Sequence, residues 1–467
     1  MNTNKWQAPR IGFVGTATSH FQSQPAGWLG RPGSDWDAEL YKYKHGLPSA
    51  VKVRQDPSKF PALLDKSKLY IKRSGELGCN MFRVSFDLPR LCPQIGSFDE
   101  ALMADYVRLL VRIRLSGQEP MVTLHHFTMP LYYTQFSGGT MTHGAWEHPT
   151  ILAWFNWAVR RAVGFLSNKA KIRGALADGG ISAQEGTRFV EEGLLKYVMT
   201  INEPGVTLGN SYLSGAFPPF KKGRIGLMLK VLNTMVDAHY CMSDQVRELG
   251  IDYPACAPKI GIGYFWNYVE GLGSSVAAQW DRYYTNQFER RVESDWIGLH
   301  HYCRFASLFG PPARDREMSE HPGFGDVYPE GVLTLATRMH RSYPAKPMFI
   351  SEVGFSDKTD RRRPYWILET VKYILEAKRQ GAPIEGVLLW SLVDNFEWDL
   401  GMSQHFGLFA EAQLSEPLKS DGSVHSWQVW QAVAELLRRP STEAQAKIEQ
   451  LYQRAKMQHA AYHEARR

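Results

Sequence analysis

Short runs of apolar and β-branched residues recur along the chain, and longer stretches with helical spacing separate them. Runs of this length and composition predict buried strands. They occupy residues 11–19, 80–86, 119–126, 198–204, 259–265, 296–302, 349–354 and 386–391. Because strands and helices alternate eight times, the pattern predicts an α/β fold: one parallel sheet closed into a single (β/α)8 TIM barrel with elaborated βα loops.

A last helical pattern follows Pro440. Thr442 with Gln445 predicts a capping box at its start. One narrow apolar stripe follows at helical spacing, and it consists of Ile448, Leu451, Tyr452 and Ala455. We expect residues 1–439 to form the catalytic barrel domain and residues 440–467 to form a helical extension packed on the barrel or on a partner. A narrow stripe does not favour a helix on a membrane surface.

Composition limits the class of protein. The 467 residues are 44% hydrophobic and 22% charged, as in ordinary globular proteins, and barrels of this type fill that length as one domain. The formal charge of +7 is spread without a long basic run, so no nucleic-acid partner is expected. Residues 1–10 lack the apolar core of a signal peptide, and no segment reaches the ~18 uncharged apolar residues of a membrane span.

The five cysteines are odd in number, scattered and free of C-x-x-C spacing. They are Cys79, Cys92, Cys241, Cys256 and Cys303. This pattern predicts reduced, buried thiols and a cytoplasmic location. Neither a metal site nor an organic cofactor is expected, and the oligomeric state is left open.

Two of the predicted strands end on a glutamate. Glu203 is followed directly by Pro204, and Glu352 ends the second apolar run of this kind. Burying an unpaired carboxylate is costly, so such a residue has a partner or a task, and a strand-end ion pair is the alternative. Strand ends of a barrel face one cavity. A pair of carboxyl groups, one protonated and one ionised, is what glycoside hydrolysis requires.

The surroundings of both glutamates resemble glycoside hydrolase family 1, the retaining β-glycosidases. Thr200-Ile-Asn-Glu-Pro204 is similar to the acid/base signature of that family, and Ile350-Ser-Glu-Val-Gly354 is similar to its nucleophile signature. The most specific match is "WSL-DNFEW…FGL" between residues 390 and 408. The resemblance covers roughly residues 11–435 and implies the same barrel. The run 357–365 is similar to the archaeal and plant galactolipid-processing branch.

The resemblance also implies roles for other residues. Arg83 and Tyr302 correspond to residues that contact the nucleophile and keep it ionised. An arginine inside a strand needs an anion in any case, so a structural salt bridge is the alternative for Arg83. Asn202 corresponds to the residue that binds the sugar 2-hydroxyl. The other implied substrate-binding residues are Gln22, His126, Trp390, Glu397, Trp398 and Phe406.

The chain departs from the family pattern at several positions, which are Gln24, Pro25, Phe127, His300, His301 and Val353. His300 and His301 stand where an asparagine and a tyrosine are usual. Because side chains alternate along a strand, we expect His300 to point into the barrel near Glu352, with Tyr302, and His301 to be structural. A neutral, hydrogen-bonding His300 and a charged one beside Glu352 are both open. The stretch 167–191 resembles an insertion without readable chemistry.

These observations predict a retaining β-glycosidase similar to β-glucosidases and β-galactosidases. Glu352 is the expected nucleophile of a covalent glycosyl-enzyme, and Glu203 the expected acid and base. Glu397 would repel phosphate, and Gln404 stands where relatives acting on 6-phosphosugars have lysine, so the glycone should be unphosphorylated. The alternatives are a transglycosylase or galactolipid-type glycosyltransferase using the same glutamates, and a non-catalytic sugar-binding relative.

Overall fold

Eight parallel strands close into a barrel in the computed structural model, which describes residues 3–7, 9–24, 33–52, 60–265, 268–270, 288–306, 317–322 and 324–466. The strands are β1 Phe13–Ala17, β2 Met81–Ser85, β3 Glu119–His125, β4 Tyr197–Asn202, β5 Lys259–Phe265, β6 Trp296–His301, β7 Met348–Val353 and β8 Ile384–Trp390. Each strand pairs with the next in sequence, and β8 pairs with β1. The predicted (β/α)8 barrel is confirmed, with strand ends shifted by no more than two residues.

Helices lie between the strands and cover the outside of the barrel. The longer helices are Asp35–Lys44, Ser67–Glu76, Glu100–Leu115, Ile151–Ser167, Lys169–Asp178, Ala183–Glu192, Ile225–Arg247, Gly331–Ser342, Arg363–Arg379, Ser426–Arg438 and Thr442–Glu464. Short α-helical turns occur at His20–Ser23, Leu88–Leu91, Pro204–Leu208 and Leu249–Asp252. Two small strand pairs lie outside the barrel, Gln135–Ser137 with Thr140–His143 and Tyr268–Glu270 with Arg304–Ala306.

The alternation of side chains along the strands separates two apolar layers. Phe82 and Val84 of β2 belong to the large layer between the barrel and its helices. Met81 belongs instead to a small cluster formed mainly by strand residues, which fills the barrel interior. Arg83 lies between Phe82 and Val84 and shares the face of Met81, so the fold carries its guanidinium into the barrel.

The stretch 167–191, which resembles an insertion, is largely helical. Its two helices, Lys169–Asp178 and Ala183–Glu192, pack on the outer helix Glu100–Leu115. Arg108 of that helix donates from Nη1 to the carbonyl of Ala175 at 3.1 Å, and Ile172 is fully buried. The stretch therefore thickens the outer helical layer after β3.

The predicted capping box of the C-terminal helix Thr442–Glu464 is wrong. The N-cap is Ser441, which has an extended backbone with φ of −138°, and its Oγ accepts from the N–H of Ala444 at 3.1 Å. Thr442 is the first helical residue, and the free N–H groups of the first turn are capped by the residue before it, which is Ser441.

The apolar stripe of the C-terminal helix faces the barrel layer. Ile448 and Ala455 are fully buried, and the helix packs against Arg363–Arg379 and Ser426–Arg438. Tyr452 donates to Glu369 at 2.5 Å. The division into residues 1–439 and 440–467 stays a prediction. In the part of the chain that the structure describes, no helix has the length and apolarity needed to cross a bilayer.

We expect Ile448→Ala to lower the free energy of unfolding by about 2–4 kcal/mol, because it leaves a cavity in a fully buried position. Met457→Ala, on a side chain of the same helix that is 64% exposed, should change it by less than about 0.5 kcal/mol. Urea unfolding of both variants measures the difference. Equal destabilisation by the two variants would contradict the docked position of this helix.

Candidate active site

Both strand-end glutamates lie at the carboxyl edge of the barrel. Glu352 is the second-last residue of β7, and the pairing of β7 with β6 shifts register between Ile350 and Glu352. Glu203 follows β4, whose pairing with β5 shifts after Met199. Such irregularities redirect side chains at barrel rims. One oxygen of each carboxyl group and a ring nitrogen of His300 lie within 4.8 Å of one another, so the two glutamates share one cavity.

Glu352 is held by two donors. Arg83 donates from Nη1 to Oε1 at 2.5 Å, and the Tyr302 hydroxyl donates to Oε2 at 2.7 Å. Burial raises the pKa of Glu352, while the charge of Arg83 and the hydrogen bond from Tyr302 act in the opposite direction. Both contacts favour the ionised form of this carboxyl group.

Arg83 has no exposed surface and is fixed along its whole guanidinium. Its Nε donates to Thr123 Oγ1 at 3.0 Å, and its Nη2 donates to Asn202 Oδ1 at 2.5 Å and contacts Met199 Sδ at 3.1 Å. The sequence analysis did not single out Thr123 or Met199. The available signal for Thr123 was a polar side chain inside the apolar part of β3, between Val122 and Leu124.

Glu203 occupies a different environment. Its backbone is left-handed, with φ of +44°, which is uncommon for a residue with a side chain and is found at functional sites. Burial and the neighbouring charge of Glu352 raise the pKa of Glu203 well above its ordinary value, and the more distant Arg83 only partly opposes this. Among the described residues, its ion-pair partner is a histidine and not a guanidinium or ammonium group. Of the two glutamates, Glu203 therefore has the surroundings that favour the protonated form more strongly.

His300 points into the barrel and contacts Glu203 more closely than Glu352. Its Nδ1 lies 2.6 Å from Glu203 Oε1 and 3.5 Å from Glu352 Oε1. The sequence analysis placed His300 near Glu352 and did not foresee its shorter contact with Glu203; Arg83 Nη1 lies 2.5 Å from the same Glu352 oxygen. Burial, and then the charge of Arg83, lower the pKa of His300 well below its ordinary value, so the ring is neutral.

The strands around His300 have the shape that this ring needs. A Cβ at Gly263 of β5 would lie 2.7 Å from His300 Nε2, so a glycine is required beside it. His301 points the other way, as strand alternation predicts, and its Nε2 lies 2.7 Å from the Tyr328 carbonyl oxygen. His301 is thus placed outside the barrel interior.

An aromatic wall adjoins the two glutamates. The His126 ring stacks near Trp390 and Trp398, with centroids at 5.8 and 6.2 Å. His126 Nε2 also lies 3.4 Å from Asn202 Nδ2. Phe406 contacts the Tyr302 ring edge-on at 5.8 Å. Apart from Tyr302, which was predicted to contact Glu352, these residues were each predicted to contact substrate, and the fold brings them together.

Glu397 lies between two polar side chains at the other end of this wall. Gln22 Nε2 donates to Glu397 Oε2 at 3.2 Å, and His321 Nε2 lies 3.6 Å from Glu397 Oε1. His321 stacks on Phe324 at 4.1 Å. Sequence reasoning missed both His321 and Phe324, because they lie in an irregular loop after β6 with no strand or helix period.

The departures from the family pattern have structural explanations. Gln24 turns away from the cavity and binds Asp65 at 2.9 Å, whereas Pro25 lies outside the described residues. Phe127 has a φ of +70° and packs on Trp398 at 5.2 Å. Val353 is a buried residue of β7 that belongs to the outer apolar layer.

The run 357–365 forms the start of the helix Arg363–Arg379 and its connection to a neighbouring loop. Asp357 accepts the backbone N–H groups of Arg362 at 2.7 Å and Arg363 at 3.1 Å. The Arg363 side chain donates to the His405 carbonyl at 2.6 Å. These bonds begin the helix Arg363–Arg379 and tie it to the loop that carries Gln404 and Phe406.

Two groups of three metal-ligating side chains occur in the described part of the chain. They are Glu203 with His300 and Glu352, and Glu317 with His459 and His463. In the first group, the guanidinium of Arg83 lies against Glu352 and a neutral ring lies against Glu203. That arrangement suits proton transfer and attack at carbon more than it suits a cation.

Comparison with known proteins gives the same picture. The β-galactosidase of Sulfolobus acidocaldarius is 22% identical over 480 residues, covering 86% of this chain and 91% of that protein. The chloroplastic galactolipid galactosyltransferase SFR2 of Arabidopsis thaliana is 23% identical over 394 residues, covering 78% of this chain and 56% of that protein. The chain spans only about half the length of the two chloroplastic SFR2 relatives, 51% of the rice protein and 56% of the Arabidopsis protein.

The fold has close structural counterparts. The crystal structure of a hyperthermophilic β-glucosidase from Pyrococcus furiosus superposes with a TM-score of 0.72 at 20% identity, covering 96% of this chain and 98% of that one. The sequence model of glycosyl hydrolase family 1 matches residues 13–162 and 312–422, which is more than half of the chain. With the paired glutamates in one cavity at the rim of this barrel, the chain belongs to glycosyl hydrolase family 1.

Proposed function

We propose that the protein hydrolyses an unphosphorylated β-glycoside with retention of configuration, through a covalent glycosyl-enzyme. The observation that carries the proposal is the contrast between two carboxyl groups in one cavity. Glu352 is bound by Arg83 and Tyr302, which favour its ionised form, whereas Glu203 is buried beside a neutral ring. One ionised and one protonated carboxyl group are the starting state of this reaction.

In the first step, Glu352 attacks the anomeric carbon while the bond to the leaving oxygen breaks. Glu203 gives its proton to that oxygen, so the leaving group departs as a neutral alcohol. In the second step, Glu203 takes a proton from water, the water oxygen bonds to the anomeric carbon, and Glu352 is released as a carboxylate. After the first step Glu203 is ionised and Glu352 is a neutral ester, and the second step restores the starting protonation of both residues.

The separation of the glutamates supports retention over inversion. Retaining enzymes have carboxyl groups about 5–5.5 Å apart, and inverting enzymes need about 6.5–9.5 Å to admit a water between them. Here one oxygen of each carboxyl group lies within 4.8 Å of the other, which favours the shorter, retaining separation. Asn202, fixed by Arg83 at 2.5 Å, is placed to bind the 2-hydroxyl, a contact that strengthens in the transition state.

His300 has a positioning role in this scheme. Among the described residues its Nε2 has no hydrogen-bond partner. A buried N–H without an acceptor is rarer than a bare ring nitrogen, so we assign the proton to Nδ1. Nδ1 then donates to Glu203 Oε1 and leaves Oε2–H free to protonate the leaving oxygen.

The polar end of the cavity supports an uncharged glycone. Glu397, with Gln22 at 3.2 Å, offers a carboxylate that accepts from sugar hydroxyls and repels phosphate. Gln404 is engaged with Ser356 at 3.1 Å and brings no positive charge. The proposal includes a cytoplasmic location, supported by five cysteines that all lie in the described residues as free thiols.

Transglycosylation is a second candidate, because one relative is a galactolipid galactosyltransferase. It would use the same glycosyl-enzyme, with an alcohol in place of water. Product analysis with a nitrophenyl β-glycoside and added glycerol or galactolipid acceptors separates the two. Transfer product exceeding free sugar at millimolar acceptor would favour the transferase.

Glu352→Gly should lower kcat on a nitrophenyl β-glycoside by about 10⁴-fold or more, because the nucleophile is lost. Azide should restore turnover and give the α-configured glycosyl azide, since it attacks from the side that Glu352 occupied. Product configuration by NMR is the measurement. The matched control is Glu203→Gly, for which azide should give the β-configured product by attacking an intact glycosyl-enzyme.

A wild-type protein without turnover across a panel of nitrophenyl β-glycosides would support a non-catalytic sugar-binding relative instead. Near wild-type hydrolysis by Glu352→Gly, or β-configured azide from it, would remove Glu352 as the nucleophile.

His300→Leu should move the alkaline limb of the pH profile of kcat/KM upward by about one pH unit. The donor to Glu203 stabilises its ionised form, so losing that donor raises the pKa of Glu203 and keeps it protonated to higher pH. The acidic limb should stay in place, because a neutral His300 does not titrate there. The control His301→Leu should move neither limb, and a downward shift in His300→Leu would place the shared proton on Glu203 instead of Nδ1.

A further inference from the structure

A second cluster of titratable side chains lies apart from the catalytic glutamates, where the C-terminal helix Thr442–Glu464 meets the segment 317–322. His459 and His463 are four residues apart, so both rings project from one face of the helix. His459 Nε2 lies 2.6 Å from Glu317 Oε2, and His463 Nε2 lies 3.4 Å from Glu317 Oε1. All three groups have a ligand atom within 4.8 Å of the others.

The carboxylate of this cluster is fixed from behind. Trp366 Nε1 donates to Glu317 Oε2 at 2.6 Å, and Arg362 Nη1 donates to Glu317 Oε1 at 3.0 Å. An ionised carboxylate has about four lone-pair sites, so these two bonds leave sites on the side that faces the histidines. Outer hydrogen bonds of this kind orient the ligands of metal sites.

The charges around the cluster are unbalanced. Three carboxylates converge on the single guanidinium of Arg362: Glu320 at 2.7 Å, Glu317 at 3.0 Å and Asp357 at 3.8 Å. The neighbouring guanidinium of Arg363 is paired with Asp360 at 3.0 Å. Among the described residues, this leaves an excess of negative charge around the cluster, which a cation beside Glu317 would reduce.

We propose that Glu317, His459 and His463 bind a divalent transition-metal ion of the zinc class. Two imidazoles and one carboxylate are a ligand set that zinc favours, whereas magnesium and calcium prefer oxygen alone. Three protein ligands leave a fourth position for water. The ion joins the C-terminal helix to the loop after β6.

The fit requires only a small movement. Ligand atoms around a tetrahedral ion with bonds of about 2.0–2.1 Å lie about 3.3 Å apart. His463 Nε2 lies 3.4 Å from Glu317 Oε1, His459 Nε2 lies 2.6 Å from Glu317 Oε2, and one ligand atom of each residue lies within 4.8 Å of the others, so shifts of up to about 1.5 Å give this spacing. Both histidines are partly exposed, at 18% and 40% of the side chain, so an ion has a route to them.

The test uses the full chain without a histidine tag, stripped with chelator and titrated with zinc chloride at pH 7.5. Isothermal titration should give one equivalent of bound zinc, and zinc should raise Tm. His459→Gln and His463→Gln should each weaken zinc binding at least about tenfold. Loss of a residue that only hydrogen-bonds to a metal ligand already costs about that much, and these histidines are proposed to be ligands themselves. The matched control His45→Gln, at an exposed histidine, should bind zinc as the wild type does.

One further variant distinguishes the two clusters, because His300 and the catalytic glutamates also lie within 4.8 Å. Zinc binding that survives in His459→Gln but is lost in His300→Asn would locate the ion in the active site and overturn the proposal. Absence of zinc binding in the wild type would also overturn the proposal. A lower Tm of His459→Gln in that case would mean that the contacts of the histidines with Glu317 only stabilise the fold.

Discussion

The buried contact between Arg83 and Glu352 is the constraint on which the rest of the site depends. A guanidinium with no exposed surface must have its charge and its donors satisfied, or it destabilises the fold. Its partners come from three other strands, through Thr123 on β3, Asn202 on β4 and Glu352 on β7. The same side chain therefore orders Glu352 and Asn202, the residue before Glu203. Because its charge lies against Glu352 and not against Glu203, it favours the ionised form of Glu352 more than that of Glu203.

Backbone strain accompanies this arrangement. Glu203, Phe127 and Trp398 all have left-handed backbones, with φ of +44°, +70° and +48°. Each such residue costs of the order of 1–3 kcal/mol and persists where surrounding packing determines it. Here the packing is aromatic: Phe127 and Phe21 both lie against Trp398, at 5.2 and 5.5 Å. The barrel supplies a rigid frame, and the site residues take the unusual conformations that direct their side chains into the cavity.

The sequence was informative where a periodic element carries the residue. The eight strands were predictable from their apolar runs, and Glu203, Glu352 and Arg83 from their positions on those runs. The orientation of His300 and His301 followed from strand alternation, but the nearer partner of His300 did not, because the occupation of Glu352 by Arg83 is a three-dimensional fact. His321 and Thr123 lacked a periodic or motif signal of comparable strength. Ser441 was missed as the cap because Thr442 offers the same hydroxyl chemistry one residue later, and His459 with His463 were not noted because their common partner, Glu317, lies far away in sequence.

The loop after β6 connects the Glu317 cluster at the C-terminal helix to the cavity that contains Glu397. In this loop, the Glu317 carboxylate contacts His459 of the C-terminal helix, and the Glu317 carbonyl accepts from the N–H of Val327 at 2.8 Å. Only four residues further along, His321 lies beside Glu397 at the end of the cavity proposed to bind sugar hydroxyls. The family match ends at residue 422, yet one wall of this cavity has its anchor near residue 459. The part of the chain that shapes this pocket is thus longer than the part that the family model matches. A fragment ending at residue 422 would keep Glu203 and Glu352, but it would lose the contact between His459 and Glu317 that holds this wall in place.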